Sequence, residues 1–319
     1  MADLTTRLGS VTLPNPILTA SGCAANGREL HHFVDLTGLG AFVTKTVMAD
    51  PRAGRPTPRM AETPSGMLNS IGLQGPGIAA FLDHDLTWLA SVGARVIVSI
   101  AGNTAAEFAT VARALAAHPA FGCVVGVEIN ISCPNVANRG LVFACDAVSS
   151  REVITLVTAE LPPQTPTFAK LTPDVTDIVA IADAALDAGA RGLTLINTLL
   201  GIVIDTDRMR PQLAGVTGGL SGPAIRPVAV RAIWQVYAAM LEDRLPTVPI
   251  LGVGGVRTGR DALELLAAGA AAVQVGTATF NDPSAPGRVR DELDAALDER
   301  GFTSVGEVVG LAHERKVRL

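Results

Sequence analysis

The stretch Thr165-Pro166-Thr167-Phe168-Ala169-Lys170-Leu171 is short, apolar but for one lysine, and bounded by Pro-containing turns. It is followed by Ile178–Ala188, whose apolar residues recur at helical spacing, and then by Gly192-Leu193-Thr194-Leu195-Ile196. Strand, helix and strand within about thirty residues make a parallel crossover unit. The same alternation extends in both directions. Asn15–Thr19, Ala41–Val47, Arg95–Ile100, Val124–Ile131, Pro249–Val253 and Ala272–Val275 bring the strands to eight, with helical patterns over Ala105–Ala117, Ala224–Met240 and Asp261–Ala268. Eight is the barrel number. Most of the runs are nearly continuously apolar, as in strands buried on both faces. The expected fold is therefore α/β, a single (β/α)8 TIM barrel over residues 1–319; a doubly wound parallel sheet is the alternative. No linker, repeat or composition shift divides the chain. Two connections exceed what a minimal barrel needs, Met48–Ala94 and Asn197–Pro223, and long insertions after strands usually build sites.

Composition narrows the function. The 48% hydrophobic content against 17% charged residues describes a packed core built from Ala, Val and Leu. A net charge of −5, with no basic run interleaved with aromatics, argues against nucleic acid as a partner. The first residues lack the apolar core of a signal peptide, and no run of roughly 18 uncharged apolar residues exists, so a cytosolic, soluble protein is expected. Cys23, Cys123, Cys133 and Cys145 contain no CxxC pair, which makes zinc or an iron–sulfur cluster held by this chain improbable. His31, His32, His84, His118 and His313 all fall in helix or helix-flanking segments. None stands at a strand end, so the commonest general base is missing.

In a barrel the chemistry sits at the C-terminal ends of the strands. Those ends read Ser21-Gly22, Lys45-Thr46, Gly102-Asn103, Asn130 with Ser132-Cys133, Lys170, Asn197-Thr198, Gly254-Gly255 and Gly276-Thr277. Lysines, asparagines and glycines converge without a carboxylate cluster, which excludes the usual zinc or magnesium ligand sets. Such a set suits an anionic, amide-rich planar ligand, because Asn donates and accepts while Lys supplies point charge. Gly254-Gly255 and Gly276-Thr277 end the seventh and eighth strands, where barrels bind phosphate through backbone N–H groups; plain turn glycines are the alternative. Arg257 stands where a dinucleotide fingerprint beginning at Gly252 would need glycine. Lys45 and Lys170 interrupt apolar strands, and an unpartnered buried ammonium costs several kcal/mol. They serve either a ligand or a structural ion pair, for which Glu128, on the strand face of Asn130, is the candidate partner. Cys133 is either an inert core thiol or, with positive charge near it, a proton acceptor.

Glu128-Ile129-Asn130-Ile131-Ser132-Cys133-Pro134-Asn135 resembles the catalytic-loop motif of class 1 dihydroorotate dehydrogenases. Ala20-Ser21-Gly22, Pro56-Thr57-Pro58-Arg59, the stretch Gly66 to Gln74, Ile196-Asn197-Thr198-Leu199 and the stretch Thr217 to Ile225 are similar to the class 1B catalytic subunit in the same order. The resemblance implies an FMN-containing barrel that oxidises (S)-dihydroorotate to orotate in pyrimidine biosynthesis. Ser21, Lys45, Thr46, Asn103, Asn130, Lys170, Ile196, Gly222, Gly254, Gly255, Gly276 and Thr277 would contact FMN. Lys45, Asn69, Ser70, Ile71, Gly72, Leu73, Asn130, Asn197 and Thr198 would hold the substrate, and Cys133 would be the base that removes the C5 proton. Lys170 would stabilise the anionic reduced ring. Two departures from the family pattern, Arg55 and Gly75, bear on loop geometry and the partner-facing surface.

Electrons arriving at the flavin must leave, yet the sequence shows neither a nicotinamide fingerprint nor a cysteine cluster. Class 1B implies a smaller subunit bearing FAD and [2Fe-2S], NAD as terminal acceptor, and a heterotetramer built on a catalytic homodimer. The alternatives are a fumarate-linked class 1A enzyme, a flavin barrel like that of dihydropyrimidine dehydrogenase, a non-catalytic flavin-binding subunit, and a lyase or aldolase in which Lys45 or Lys170 forms a Schiff base.

Overall fold

A computed structural model describes residues 2–132 and 146–314 of the chain. Eight parallel strands form one sheet: β1 (Ile17–Thr19), β2 (Phe42–Val43), β3 (Val96–Ile100), β4 (Val124–Ile129), β5 (Thr167–Leu171), β6 (Gly192–Leu195), β7 (Ile250–Val253) and β8 (Ala272–Val275). Their order is β1-β8-β7-β6-β5-β4-β3-β2, and a parallel bridge between Leu18 and Ala41 joins the two ends. The sheet is thus a closed (β/α)8 barrel, as expected, with helices between successive strands. Several helices start where their sequence says they should. Thr104, Asp146, Asp177 and Thr258 each cap a helix by accepting backbone N–H groups of its first turn. No helix among the described residues is long and apolar enough to cross a membrane.

Two strands are shorter than their apolar runs. In the second, the Thr44 hydroxyl accepts the Ser99 N–H in place of a ladder carbonyl, and pairing resumes only at the Val47–Ile100 bridge. The fourth stops at Ile129 because the Ile131 N–H turns back to the Ile129 carbonyl. That turn carries Asn130 and Ser132 onto the mouth of the barrel.

The barrel interior has two layers of different character. At the bottom, Phe168 is fully buried with Leu18, Val43, Ile97, Leu251 and Ala272. Its ring occupies space left by Gly126 and Gly192 on the flanking strands, where a Cβ would stand 3.0 and 2.6 Å from it. A hairpin of Thr6–Leu8 and Val11–Leu13 closes this end, with Leu8 and Leu13 in the same cluster. Above lies a polar layer: Ser99, Glu128, Lys170, Thr194 and Gln274 are all buried. Ser99 is in register with Glu128, and Lys170 with Thr194.

The two long insertions meet over the mouth. Met60–Thr63 and Gly66–Asn69 come from the first, Leu199–Gly201 and Gly218–Ser221 from the second, and they form one four-stranded antiparallel sheet. Gly66–Asn69 pairs with Gly218–Ser221 across the two insertions, which ties them into one lid.

Candidate active site

Between the barrel mouth and this lid lies a cavity of about 830 Å³, continuous with a second of about 400 Å³. Ser21, Cys23, Lys170, Asn197, Thr198, Ser221 and Thr277 border both, so the two are one elongated space with Lys170 at its waist. Each part by itself lies in the size range of small-molecule and cofactor sites, so the space has room for more than one ligand. The larger part is walled by Lys45, Thr46, Asn69, Ile71, Gly72, Leu73 and Asn130. The smaller is walled by Ile196, Gly222, Gly254, Gly255, Gly276 and Thr277.

One hydrogen-bond network aims the amides. The Thr46 hydroxyl lies 3.0 Å from those of Ser21 and Ser99 and accepts from Asn130 Nδ2 at 3.2 Å. Asn130 Oδ1 accepts from Ser132 Oγ at 3.0 Å, and Ser132 Oγ in turn accepts from Asn197 Nδ2 at 2.7 Å. Asn197 Oδ1 takes its neighbour's N–H, from Thr198, at 2.9 Å. Asn130 therefore keeps a second N–H for a ligand, with its orientation fixed by the first, whereas Asn197 Nδ2 also reaches Asn130 Oδ1 and the Ser132 carbonyl, each at 3.4 Å. Lys170 Nζ is 3.1 Å from Glu128 Oε1, and Gln274 Nε2 donates to Oε2 at 2.9 Å. The sequence posed ion pair and ligand contact as alternatives for this lysine. The structure shows the pair on a residue that also lines the cavity.

The smaller end is built from backbone. Gly254 and Gly255 take φ of 137° and 77°, and a Cβ there would lie 2.8 Å from Ala229 Cβ or 2.6 Å from Arg226 Cβ. Only glycine fits, and the bared main chain forms the wall. Such a wall, with Thr277 and Ser221 hydroxyls 2.8 Å apart beside it, suits the polar tail of a phosphorylated cofactor. The wide end, with Lys170 between, suits its planar head. The residues present fit FMN.

A model of the family described as "Dihydroorotate dehydrogenase" matches residues 3–297. The chain belongs to the dihydroorotate dehydrogenase family. It is 47% identical over 308 residues to "Dihydroorotate dehydrogenase B (NAD(+)), catalytic subunit" of Geobacter sp. (strain M21), covering 97% of both chains. The protein of the same name from Desulforudis audaxviator (strain MP104C) is 48% identical over 306 residues, 96% of each chain. These class 1B subunits match nearly end to end. A dihydroorotate dehydrogenase from Eimeria tenella, solved with ferulenol, superposes with a TM-score of 0.79 over 98% of this chain and 89% of its own; at 24% identity it supports the fold.

Two residues expected at the site from the family resemblance do not line the cavity. Asn103 is held behind the wall, its Oδ1 accepting from Arg52 at 3.0 Å and its Nδ2 donating to Glu107 at 2.8 Å. The Ser70 hydroxyl accepts from Arg55 at 3.0 Å. Arg55, one of the two departures from the family pattern, thus holds a residue that the resemblance places at the substrate, while Gly75 pairs with Arg52 through two backbone bonds. Cys133, the expected base, and Cys145 lie outside the described residues. Sequence reasoning missed Arg52 and Cys23, both on the cavity wall. Cys23 follows Ser21-Gly22 directly, which was the available signal. Burial pushes its thiol up to about 11, against the opposing pull of Lys170 and Lys45.

Proposed function

We propose that this chain is the catalytic subunit of an NAD-linked dihydroorotate dehydrogenase, a single-domain FMN barrel that oxidises (S)-dihydroorotate to orotate in the cytoplasm during pyrimidine biosynthesis. The observation that carries the reading is the near end-to-end match to class 1B catalytic subunits, joined to a cavity that collects Lys45, Asn69, Asn130, Asn197 and Thr198 around one space. Orotate is a carboxylated pyrimidinedione: Lys45 answers its carboxylate, and the Asn amides match its ring N–H and C=O groups.

In the proposed mechanism FMN supplies the acceptor for the hydride leaving C6. Cys133 takes the C5 proton, so the substrate loses two electrons and two hydrogens and gains the ring double bond. Thr46, Ser132 and the lid sheet fix the asparagines before substrate arrives. Lys170, which borders both parts of the cavity, would stabilise a reduced flavin held there. Schiff-base chemistry is not favoured at Lys170, because its Nζ is held 3.1 Å from Glu128 Oε1 in a salt bridge where a free amine is needed. A partner subunit carrying FAD and [2Fe-2S] would supply the route for electrons to NAD, and the catalytic chains would form a homodimer.

The test mixes the isolated chain with dihydroorotate and, separately, a dye, fumarate or NAD. Dye reduction without NADH formation is expected. Steady NADH production by this chain alone refutes the missing partner, and fumarate reduction in its place assigns class 1A. Cys133→Ser should keep FMN and orotate binding but reduce flavin far more slowly, with the residual rate rising toward alkaline pH. Flavin reduction at the unmodified rate would remove Cys133 from the mechanism.

A further inference from the structure

Glu128 is fully buried and touches neither part of the cavity, whereas Lys170, whose side chain is 6% exposed, borders both. Whatever the carboxylate does to a ligand it does through this lysine. Its other oxygen accepts from Gln274 Nε2, and that contact fixes the amide: turned over, it would set oxygen against oxygen at 2.9 Å. Gln274 Oε1 is left with no hydrogen-bond partner among the described residues. Both carboxylate oxygens are thus met by donors, Lys170 Nζ on one and Gln274 Nε2 on the other.

The charged and titratable groups around Lys170 are few. Glu128 on β4 is the one carboxylate in a salt bridge with it among the described residues. Lys45, beyond β2, shares the cavity wall, and Cys23, beyond β1, is a neutral thiol. Thr194, in register on β6, has a buried hydroxyl and no charge. Glu29 and Arg52 also line the wide part of the space, and Arg257, Asp282 and Arg288 the narrow part, but Glu128 is the only buried carboxylate among the described residues.

We infer that Glu128 is a positioning residue for the redox step: its carboxylate keeps Lys170 charged whether the flavin is oxidised or reduced, so that reduction takes up one proton per two electrons. This rests on the flavin reading above. Without Glu128 the buried ammonium has no salt-bridge partner among the described residues while the flavin is neutral, and it gives up its proton. Once the reduced flavin is an anion, the proton returns to Lys170. Reduction then consumes two electrons and two protons, one on the flavin and one on the lysine.

The experiment measures the midpoint potential of bound flavin against pH, through neutral and mildly alkaline values, in the flavin-loaded protein. The unmodified chain should follow a one-proton line. Glu128→Gln should show a segment twice as steep, and Glu128→Asp, which keeps the charge, should return to the original slope. Should Glu128→Gln hold no flavin, the Glu128→Gln/Lys170→Met double variant takes its place: lacking the titrating pair, it should bind flavin and follow the one-proton line. A one-proton line in flavin-loaded Glu128→Gln, or a two-proton line in the double variant, overturns the inference. A chain that neither purifies with flavin nor takes up FMN overturns the functional reading instead.

Discussion

Thr46→Val isolates the element that organises the site. The substitution keeps side-chain shape and removes one hydroxyl, which is 4% exposed by residue and has three polar partners. Its full capacity of one donor and two acceptor sites is in use. Ser21 is half-buried and can turn to water, but Asn130 and Ser99 are buried and lose a partner outright. A stranded buried polar group costs about 1–3 kcal/mol, so two of them give about 2–6 kcal/mol, or about 3–9 °C in the melting temperature of a chain this size. Thermal denaturation of the apoprotein reads this, with Thr158→Val as control, because Thr158 bonds only carbonyls of its own helix. In a double-mutant cycle with Asn197→Ala, the network joining Thr46 to Asn197 through Asn130 and Ser132 should give a coupling of about 0.5–3 kcal/mol. A loss equal to the control, or strict additivity in the cycle, would show that the contacts do not act as a network.

Phe168→Ala should cost about 3–5 kcal/mol in denaturant unfolding, since Gly126 and Gly192 leave nothing to fill the space; a loss below about 1 kcal/mol would mean the bottom layer collapses freely. Stability should also fall as pH rises from the ordinary thiol value of 9.0 to about 11, because burial holds Cys23 and Cys123 protonated in the fold while the unfolded chain ionises them first. Below that window both states bind the protons and the contribution is intact. Cys23→Ala and Cys123→Ala together should flatten the alkaline decline in urea midpoints, and an unchanged decline would assign it elsewhere.

The barrel was legible because its strands are buried on both faces, which leaves an apolar run flanked by turn residues wherever a strand occurs. Lys45 and Lys170 stood out for the same reason, as charges inside such runs. Strand alternation marked Glu128 as a candidate partner for the two buried lysines, and the structure pairs it with Lys170. The lid was foreseen only as two long connections. Its pairing of Gly66–Asn69 with Gly218–Ser221 joins segments about 150 residues apart, and no local pattern encodes that register. The diversion of Asn103 and Ser70 was illegible for a related reason: Arg52 and Arg55 compete for them through side chains whose reach depends on the loop fold. Cys23 escaped notice because a lone cysteine after a turn looks like core.

The central claim is that dihydroorotate reduces a flavin held in this cavity. Anaerobic addition of dihydroorotate to the purified chain, followed by visible absorbance, tests it in one step. The account predicts that the flavin absorbance is lost with one orotate formed per flavin; a bound flavin that stays oxidised in the presence of excess dihydroorotate would contradict it.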